Sequence, residues 1–379
     1  MKRIAIAVDS FKGSLSSREV AEAFEEGFRT YLPDCEILKI SIADGGEGTV
    51  EALVDALHGK LVEVNVCNPL HHPIKAKYGI VDGGRTAIIE MAAASGLPLL
   101  KAEERNPLRT STYGTGEIIA DAIKRGCRKF MVGIGGSATN DAGTGVFRAL
   151  GFRFLDSKGE ELVGGGEILE NISKIDDSAI CNEIRDCEFI VACDVTNPLY
   201  GEQGAAYIFA PQKGADATMV EQLDRGLRNF AHIVEEFNGK QIGDMAGAGA
   251  AGGLGGGFVA LLNAHLARGI DMVLDAIHFG SLIDGCDLVI TGEGTIDHQT
   301  LMGKTPSGVL GVASAKNIPT IAIAGRVEWC KELQASGFAS IEAITPEGMS
   351  LEEAIQPDIA KANIRRVAEK IAKQLHKKI

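Results

Sequence analysis

The chain has 379 residues, 45% of them hydrophobic, which is more than one hydrophobic core usually serves and predicts two domains. Its formal net charge of −13 opposes binding to a nucleic-acid backbone or an anionic membrane surface, so a small anionic substrate has to be held by a few local donors. No apolar run reaches the roughly 18 residues of a membrane span, and the basic Met1-Lys2-Arg3 leads only into Ile4 to Val8 before Asp9; we read no signal peptide and no span, and expect a cytoplasmic protein.

In chain order, Ile4 to Val8 is a continuous β-prone run that ends in Asp9-Ser10-Phe11-Lys12-Gly13-Ser14, ahead of a helix-like segment from Ser17 to Leu32. The pattern repeats: Cys35 to Ile42 ends in Ala43-Asp44-Gly45-Gly46-Glu47-Gly48-Thr49, and Val50, Leu53, Val54 and Leu57 then have helical spacing. Ligands of an open parallel sheet gather outside the carboxyl ends of its strands, where both polar loops fall, although Ser16, Ser17 or Asp44 can equally serve as helix caps, the reading preferred for Ser17. Leu61 to Val66, Ile74 to Val81 and Thr86 to Met91 read instead as an antiparallel meander, which places a domain boundary near Asn65 to Asn68. A helix from Gly114 to Arg125 follows a hydroxyl-rich flank carrying Arg109, a candidate carboxylate ligand or simply a solvated arginine.

Phe130 to Leu150 has the order of an anion cradle: a short apolar strand, the loop Gly135-Gly136-Ser137-Ala138-Thr139-Asn140-Asp141, then helical spacing at Val146, Phe147 and Leu150. Gly135 and Gly136 allow backbone N–H groups close to a phosphate, and Ser137, Thr139, Asn140 and Asp141 suit a helix cap or a cation shell. No Lys-Ser/Thr pair follows, so this is not a P-loop, whereas Gly133, Gly135 and Ala138 with Asp156 meet the dinucleotide pattern weakly. Glu188 to Val195 reads as a buried strand ending in Asp194, placed for metal or base work, and Lys213 sits in the turn that follows Phe209. Met219 to Phe237 is an amphipathic helix without assigned chemistry. The glycine run Ala246 to Gly257, with Gly252 and Gly253, is either a second backbone cradle or a close helix contact, feeding a helix from Phe258 to Leu266. Asp287 to Thr291 is a strand ending in a loop with Glu293, Asp297 and Lys304; strands at Pro319 to Ala324 and Ala339 to Ile344 and a helix from Glu352 to His376 return to parallel α/β.

Eight cysteines form no C-x-x-C pair and no histidine spacing suggests zinc, which fits small buried hydrophobes in a reduced compartment. There is no H-E-x-x-H and no G-x-S-x-G elbow. What recurs is acid, glycine and hydroxyl at strand ends with Lys12, Lys213 and Lys304 as cations, the mixture phosphoryl transfer needs.

With these motifs in place, the chain resembles the bacterial class I glycerate kinases nearly end to end. The resembling blocks are DSFKGS from Asp9, DGGEGT from Asp44, IIEMAAASGL from Ile88, NPLRTSTYGTGE from Asn106, GIGGSATND from Gly133, CDVTNPL from Cys193, PQKGA from Pro211, GAGAAGGLG from Gly247 and TGEGTIDHQTLMGK from Thr291. The resemblance implies an α/β fold, a Rossmann-like parallel-sheet domain with a second α/β domain inserted in it, and transfer of the ATP γ-phosphate to D-glycerate, giving 2-phosphoglycerate. Thr295 stands where the family usually has the arginine of TGEGRID; if that arginine touches phosphate or carboxylate, either Arg326 or His72 substitutes for it or affinity is lower, and Ala210 and the block Pro69-Leu70-His71-His72-Pro73 also depart from the family's pattern.

The expected domains are 1–65 with 285–379, and an inserted 66–284; whether Phe130 to Ile134 crosses back to the first sheet is left open. Asp194, Asp297 and Lys12 are expected to be catalytic, the two aspartates ranked before Asp9, Asp44 and Glu293. Ser10, Gly45, Gly46, Arg109, Gly135, Gly136, Ser137, Thr139, Asn140, Gly252, Gly253, Lys213 and Lys304 are expected to bind substrate and phosphate, and Asp44 and Glu293 to hold Mg2+. The loops DSFKGS, DGGEGT, GIGGSATND and TGEGTIDHQTLMGK are expected to meet at one cleft between the domains. ATP and Mg2+ are the expected cofactors and D-glycerate the partner substrate; neither nucleic acid nor membrane is expected, and a homo-oligomer is left open. A dinucleotide-dependent oxidoreductase acting on a small hydroxy acid and a noncatalytic ligand-binding protein are the rival readings.

Overall fold

Alternating β-prone and amphipathic segments at both chain ends build one parallel sheet in the computed structural model, which describes residues 2–46 and 48–377. In chain order the strands are β1 (Arg3–Val8), β2 (Glu36–Ser41), β3 (Lys60–Cys67), β4 (Pro73–Val81), β5 (Thr86–Glu90), β6 (Lys129–Gly133) and β7 (Arg153–Leu155). They continue as β8 (Lys174–Asp176), β9 (Glu188–Ala192), β10 (His265–Ala267), β11 (Leu288–Ile296), β12 (Thr320–Val327) and β13 (Ser340–Ala343). The chain divides into two compact units, Met1–Asp44 with Ile270–Ile379, and Gly45–Gly269, so the second is an insertion in the first.

In the first unit the sheet order is β13-β12-β11-β1-β2, parallel throughout. β1 and β11 are neighbours as expected, Ile4 opposite Leu288 and Val8 opposite Gly292. The helix Ser17–Arg29 starts on a capping box: Ser16 accepts from the Glu19 N–H while the Glu19 side chain accepts from Ser16. Ser16, not Ser17, is thus the cap, and the Ser17 hydroxyl donates to the Val8 carbonyl. This helix packs on Pro357–His376 at Gly27, where a Cβ would lie 2.5 Å from the Arg365 carbonyl oxygen. The expected helix from Glu352 is broken into Leu351–Ala354 and Pro357–His376, since Pro357 lacks an N–H and suits a first turn.

The second unit holds a mixed sheet, β10-β9-β6-β5-β4-β3. β3, β4 and β5 form the predicted antiparallel meander, while β5, β6, β9 and β10 run parallel. β6 pairs with β5 and β9, so it belongs to this sheet and does not cross back. Phe130 and Phe189 stack with centroids 4.7 Å apart in the core of this unit. The strands β7 and β8 pair with each other as a separate antiparallel ribbon, outside both larger sheets.

Two glycine-rich stretches differ from their reading. β11 runs on through Gly292, Glu293 and Gly294 to Ile296 because its ladder with β12 continues to Ile296 opposite Val327. The run after Gly249 is itself helical, Ala250–Leu262, with a left-handed kink at Ala251, Gly252 and Gly253, and β10 occupies the end of the expected Phe258 to Leu266 helix. The units change over at 44/45 and 269/270, against expected limits of 65/66 and 284/285. The helix Thr49–Ala56 goes with the second unit because Val54 fills the space left by Gly79 on β4 and the Val50 N–H donates to Glu90 at 3.0 Å.

Candidate functional site

In the first unit, Asp9, Ser10, Lys12, Asp44, Glu293, Gly294, Thr295, Lys304 and Arg326 line a cavity of about 690 Å³, of ligand-site size. Asp9 follows β1 and Glu293 lies on β11, so adjacent parallel strands bring DSFKGS and TGEGTIDHQTLMGK together at their carboxyl ends. Asp9 Oδ1 accepts the Ser10 N–H at 2.6 Å and Oδ2 the buried Thr305 hydroxyl at 3.3 Å. Burial first, and the Asp44 carboxylate second, push the Asp9 carboxyl up to about 6.

Glu293 is 8% exposed and accepts the Thr300 hydroxyl at 2.5 Å. Burial pushes its carboxyl up to about 7, opposed by Thr300 and Lys304 and reinforced by Asp9 and Asp297. Lys12 reaches Asp44 at 3.6 Å from an exposed position, a weakly held cation free to meet a ligand. Lys304 stands at the N-cap position of the helix Thr305–Ala315 without a side-chain capping bond, and Pro306 lies in the first turn. Arg326 is the cross-strand partner of Thr295 and pairs with Glu328 at 3.4 Å, whereas the other replacement considered for the missing arginine, His72, lies just before β4 in the second unit.

Asp297 is used differently. Its Oδ1 accepts the Gln299 and Thr300 N–H groups at 2.8 and 3.2 Å, capping the turn His298–Met302, and it is not among the residues lining the cavity. Among the described residues no group of three or more His, Cys, Asp and Glu side chains could hold a metal ion by itself. Of the two acids expected to hold Mg2+, Asp44 at the cavity could supply one of the one or two carboxylates with which that ion is usually held, the other positions going to water and substrate phosphate, whereas Glu293 is buried and bonded to the Thr300 hydroxyl.

In the second unit, the helix N-termini that follow GIGGSATND and DGGEGT are each met by one of the chain's own carboxylates. Asp141 is wholly buried and accepts the Thr112 N–H and hydroxyl and the Gly143 and Gly145 N–H groups at 2.8 to 3.2 Å, at the start of the helix Thr144–Ala149. Burial pushes its carboxyl up and these four bonds oppose the shift. Glu90, at the end of β5, takes the Val50 N–H at the start of Thr49–Ala56 in the same manner. A phosphate seated directly on either helix would face a carboxylate already in its place.

What remains open to a ligand is the tip of the loop: Gly135 and Gly136 are exposed, and Ser137 is 9% exposed. Thr139 and Asn140, expected to bind phosphate, are fully buried, and neither the Thr139 hydroxyl nor the Asn140 side-chain amide finds a partner among the described residues. Lys213 is 2% exposed and donates to Ser137 Oγ at 2.7 Å and to the Thr139 carbonyl at 2.6 Å, so it lies beneath the loop. Gly252 and Gly253 are buried against this loop, a Cβ on Gly252 meeting the Thr139 carbonyl oxygen at 2.2 Å, which favours the close-contact alternative over a second cradle. A Cβ on Gly45 would come within 2.5 Å of the Gly269 Cα, so packing alone requires that glycine; Gly46 accepts the Thr49 hydroxyl at its carbonyl.

Asp194 lies two residues beyond the end of β9, is exposed, and accepts the Gly269 N–H at 2.9 Å, so it does not end a buried strand as read. Arg109 is exposed. Asp156 accepts the Lys158 and Glu160 N–H groups in a turn after β7. As β7 is not a strand of the main sheet, no βαβ unit carries Asp156 and the dinucleotide fingerprint lacks its structural context. Sequence reading missed Thr300 and Thr305 as partners of the buried acids and Thr112 as the holder of Asp141. The only signals were a threonine three residues after Asp297, one directly after Lys304, and the hydroxyl-rich flank of Arg109.

Residues 4–376 match the model described as the Glycerate kinase family. Glycerate kinase of Haemophilus influenzae is 53% identical over 85% of each chain, and glycerate kinase of Bacillus subtilis 48% identical over 93% of each. Glycerate 2-kinase of Escherichia coli is 47% identical over 85% of each chain. A crystal structure of a protein described provisionally as glycerate kinase 2 of Salmonella typhimurium LT2 superposes with a TM-score of 0.90 at 45% identity, covering 99% of this chain and 98% of that one.

Proposed function

Since the chain belongs to the glycerate kinase family and is an enzyme of that activity, we propose that it transfers the γ-phosphoryl group of ATP to D-glycerate, giving 2-phosphoglycerate. The observation that carries the chemistry is the group of Asp9, Glu293 and Asp44 with Lys12 and Lys304 around one cavity at parallel strand ends. In the reaction the acceptor hydroxyl oxygen forms a bond to the γ-phosphorus as the bond to the β–γ bridging oxygen breaks, and the hydroxyl proton must leave. Glu293 is the proton acceptor in this reading: buried, facing the cavity and pushed up to about 7, it is matched to proton transfer near neutrality.

Support for Glu293 and Asp9 over the expected Asp194 and Asp297 is that the latter two carboxylates are engaged with backbone N–H groups and lie outside the cavity lining. Lys12 and Lys304 supply positive charge toward the transferred group and the glycerate carboxylate. A divalent cation bound through Asp44, with ATP phosphates completing its shell, would neutralise charge on the nucleotide. Its fit rests on the repulsion of Asp9 by Asp44 and of Glu293 by Asp9, which a cation relieves.

The test is purified protein with Mg-ATP and D-glycerate, followed by phosphorus NMR. A 2-phosphoglycerate resonance is expected; 3-phosphoglycerate corrects the position of transfer, and no phosphorylated product overturns the proposal. No absorbance change at nicotinamide wavelengths should accompany turnover.

A further inference from the structure

Lys213 sits in the tight turn Pro211–Lys213 and sends its side chain under the loop that follows β6. Its ammonium makes two hydrogen bonds, both to neutral oxygens, and no ion pair among the described residues engages it. Asp141 acts on it only at longer range, with its own oxygens filled by Thr112, Gly143 and Gly145. A buried cation without a bonded counter-anion is costly, and the cost falls when an anion arrives nearby. The loop above it is held in place from several sides. Thr110 Oγ1 donates to the Ala138 carbonyl, the Ala138 N–H to the Ser95 carbonyl, and the Leu97 N–H to the Gly136 carbonyl.

Resting on the kinase reading, we propose that Lys213 is the buried counter-cation for an anion bound on the outer side of Gly135-Gly136-Ser137, and that it acts through Ser137 as a positioning residue. The Ser137 oxygen accepts from Lys213, so its own hydrogen is left to donate outward to a phosphate or carboxylate oxygen. The lysine reaches no ligand itself. The shared chemistry is an oxyanion, supplied either by the nucleotide phosphates or by the glycerate carboxylate.

Burial alone pushes Lys213 down to about 7, with Asp141 opposing. The neighbouring glycine helix brings no charged side chain, and the segment packed on Gly214 brings Arg105, whose carbonyl lies against that glycine. An anion at the loop restores the charged form, so binding takes up a proton near neutrality and above.

Calorimetric titration of the whole protein with ADP and, separately, D-glycerate, in two buffers of different ionisation enthalpy near pH 8, reads that uptake. Proton uptake is expected for one of the two ligands in wild type and not in Lys213→Met. Steady-state kinetics should show KM for that same ligand raised about tenfold or more in both Lys213→Met and Ser137→Ala, with kcat changed less. The pH dependence of this KM should disappear in Lys213→Met. If wild type takes up no proton with either ligand, or Ser137→Ala leaves both KM values unchanged, the proposal is overturned. Ser137→Ala retains the lysine and so decides the matter even if Lys213→Met fails to fold. A wild type that takes up a proton with ADP but makes no phosphorylated glycerate refutes the kinase reading and leaves the anion site standing.

Discussion

At Glu293, stability and use pull in opposite directions. Its folded-state carboxyl titrates near 7 against a usual 4.5, so between those values the folded protein binds more protons than the unfolded chain. Stability from this group is therefore unimpaired below about 4 and falls as pH rises through the window. Above it, the buried charge costs on the order of 3 kcal/mol. Glu293→Gln keeps an acceptor for Thr300 and removes the charge. We expect a Tm higher by roughly 5 °C at pH 8 and unchanged near pH 4, while kcat falls on the order of 10²-fold. Thermal melts at both pH values and one kinetic series check this, and an equal Tm gain at both would contradict the titration. Asp194→Asn and Asp297→Asn in the same series test the expectation that these two acids carry the chemistry.

At the level of elements, glycines read as loop turned out to serve close approach. On β11 and β12 a Cβ at Gly292 would meet the Ile323 carbonyl oxygen at 2.2 Å, and one at Gly325 the Gly294 carbonyl oxygen at 2.6 Å. The kinked helix Ala250–Leu262 approaches the loop after β6 in the same way, with Gly252 at φ +69° against Thr139 and the Ala142 N–H donating to the Gly252 carbonyl. Gly252→Ala combines a left-handed backbone with a backbone clash and should destabilise by about 2 to 4 kcal/mol in denaturant melts. Because the clash falls on the carbonyl that Lys213 holds, KM for the anion bound at this loop should rise as well. A Gly252→Ala variant of wild-type stability would remove the close-contact account.

For the whole molecule, the insertion of Gly45–Gly269 into the chain of the first unit makes it a continuous segment that can be expressed alone. A fragment of 45–269 keeps the helix Thr49–Ala56 and all of β3, whose pairing with β4 runs from Lys60 opposite Ile80 to Cys67 opposite Pro73. A fragment of 66–284, cut at the limits expected from composition, loses that helix and most of β3 and leaves β4, still paired with β5, as an exposed edge strand. It also carries Ile270, Val273, Leu274 and Ile277, buried in the native protein and left without the rest of the first unit. We expect 45–269 to unfold cooperatively by circular dichroism and 66–284 to aggregate or melt lower by several kcal/mol. The reverse ranking would favour the limits at 65/66 and 284/285.

By itself the sequence determined the class of fold and the strands that share a sheet at the two chain ends, because hydrophobic period and strand length are local properties that survive any packing. It also determined the family, since nine blocks at fixed spacing name a set of loops whatever their contacts. Which acid is buried, and which is taken up as a cap, was decided only by tertiary structure. Asp297 and Glu293 stand four residues apart in one motif, yet one caps a turn and the other faces a cavity, because β11 stays paired with β12 past Thr291. Asp141 and Lys213 lie far apart in sequence, and burial beside one loop makes one an internal substitute for a bound anion and the other a cation bonded only to neutral oxygens. Burial and long-range pairing set those roles, and neither has a period that a single sequence can display.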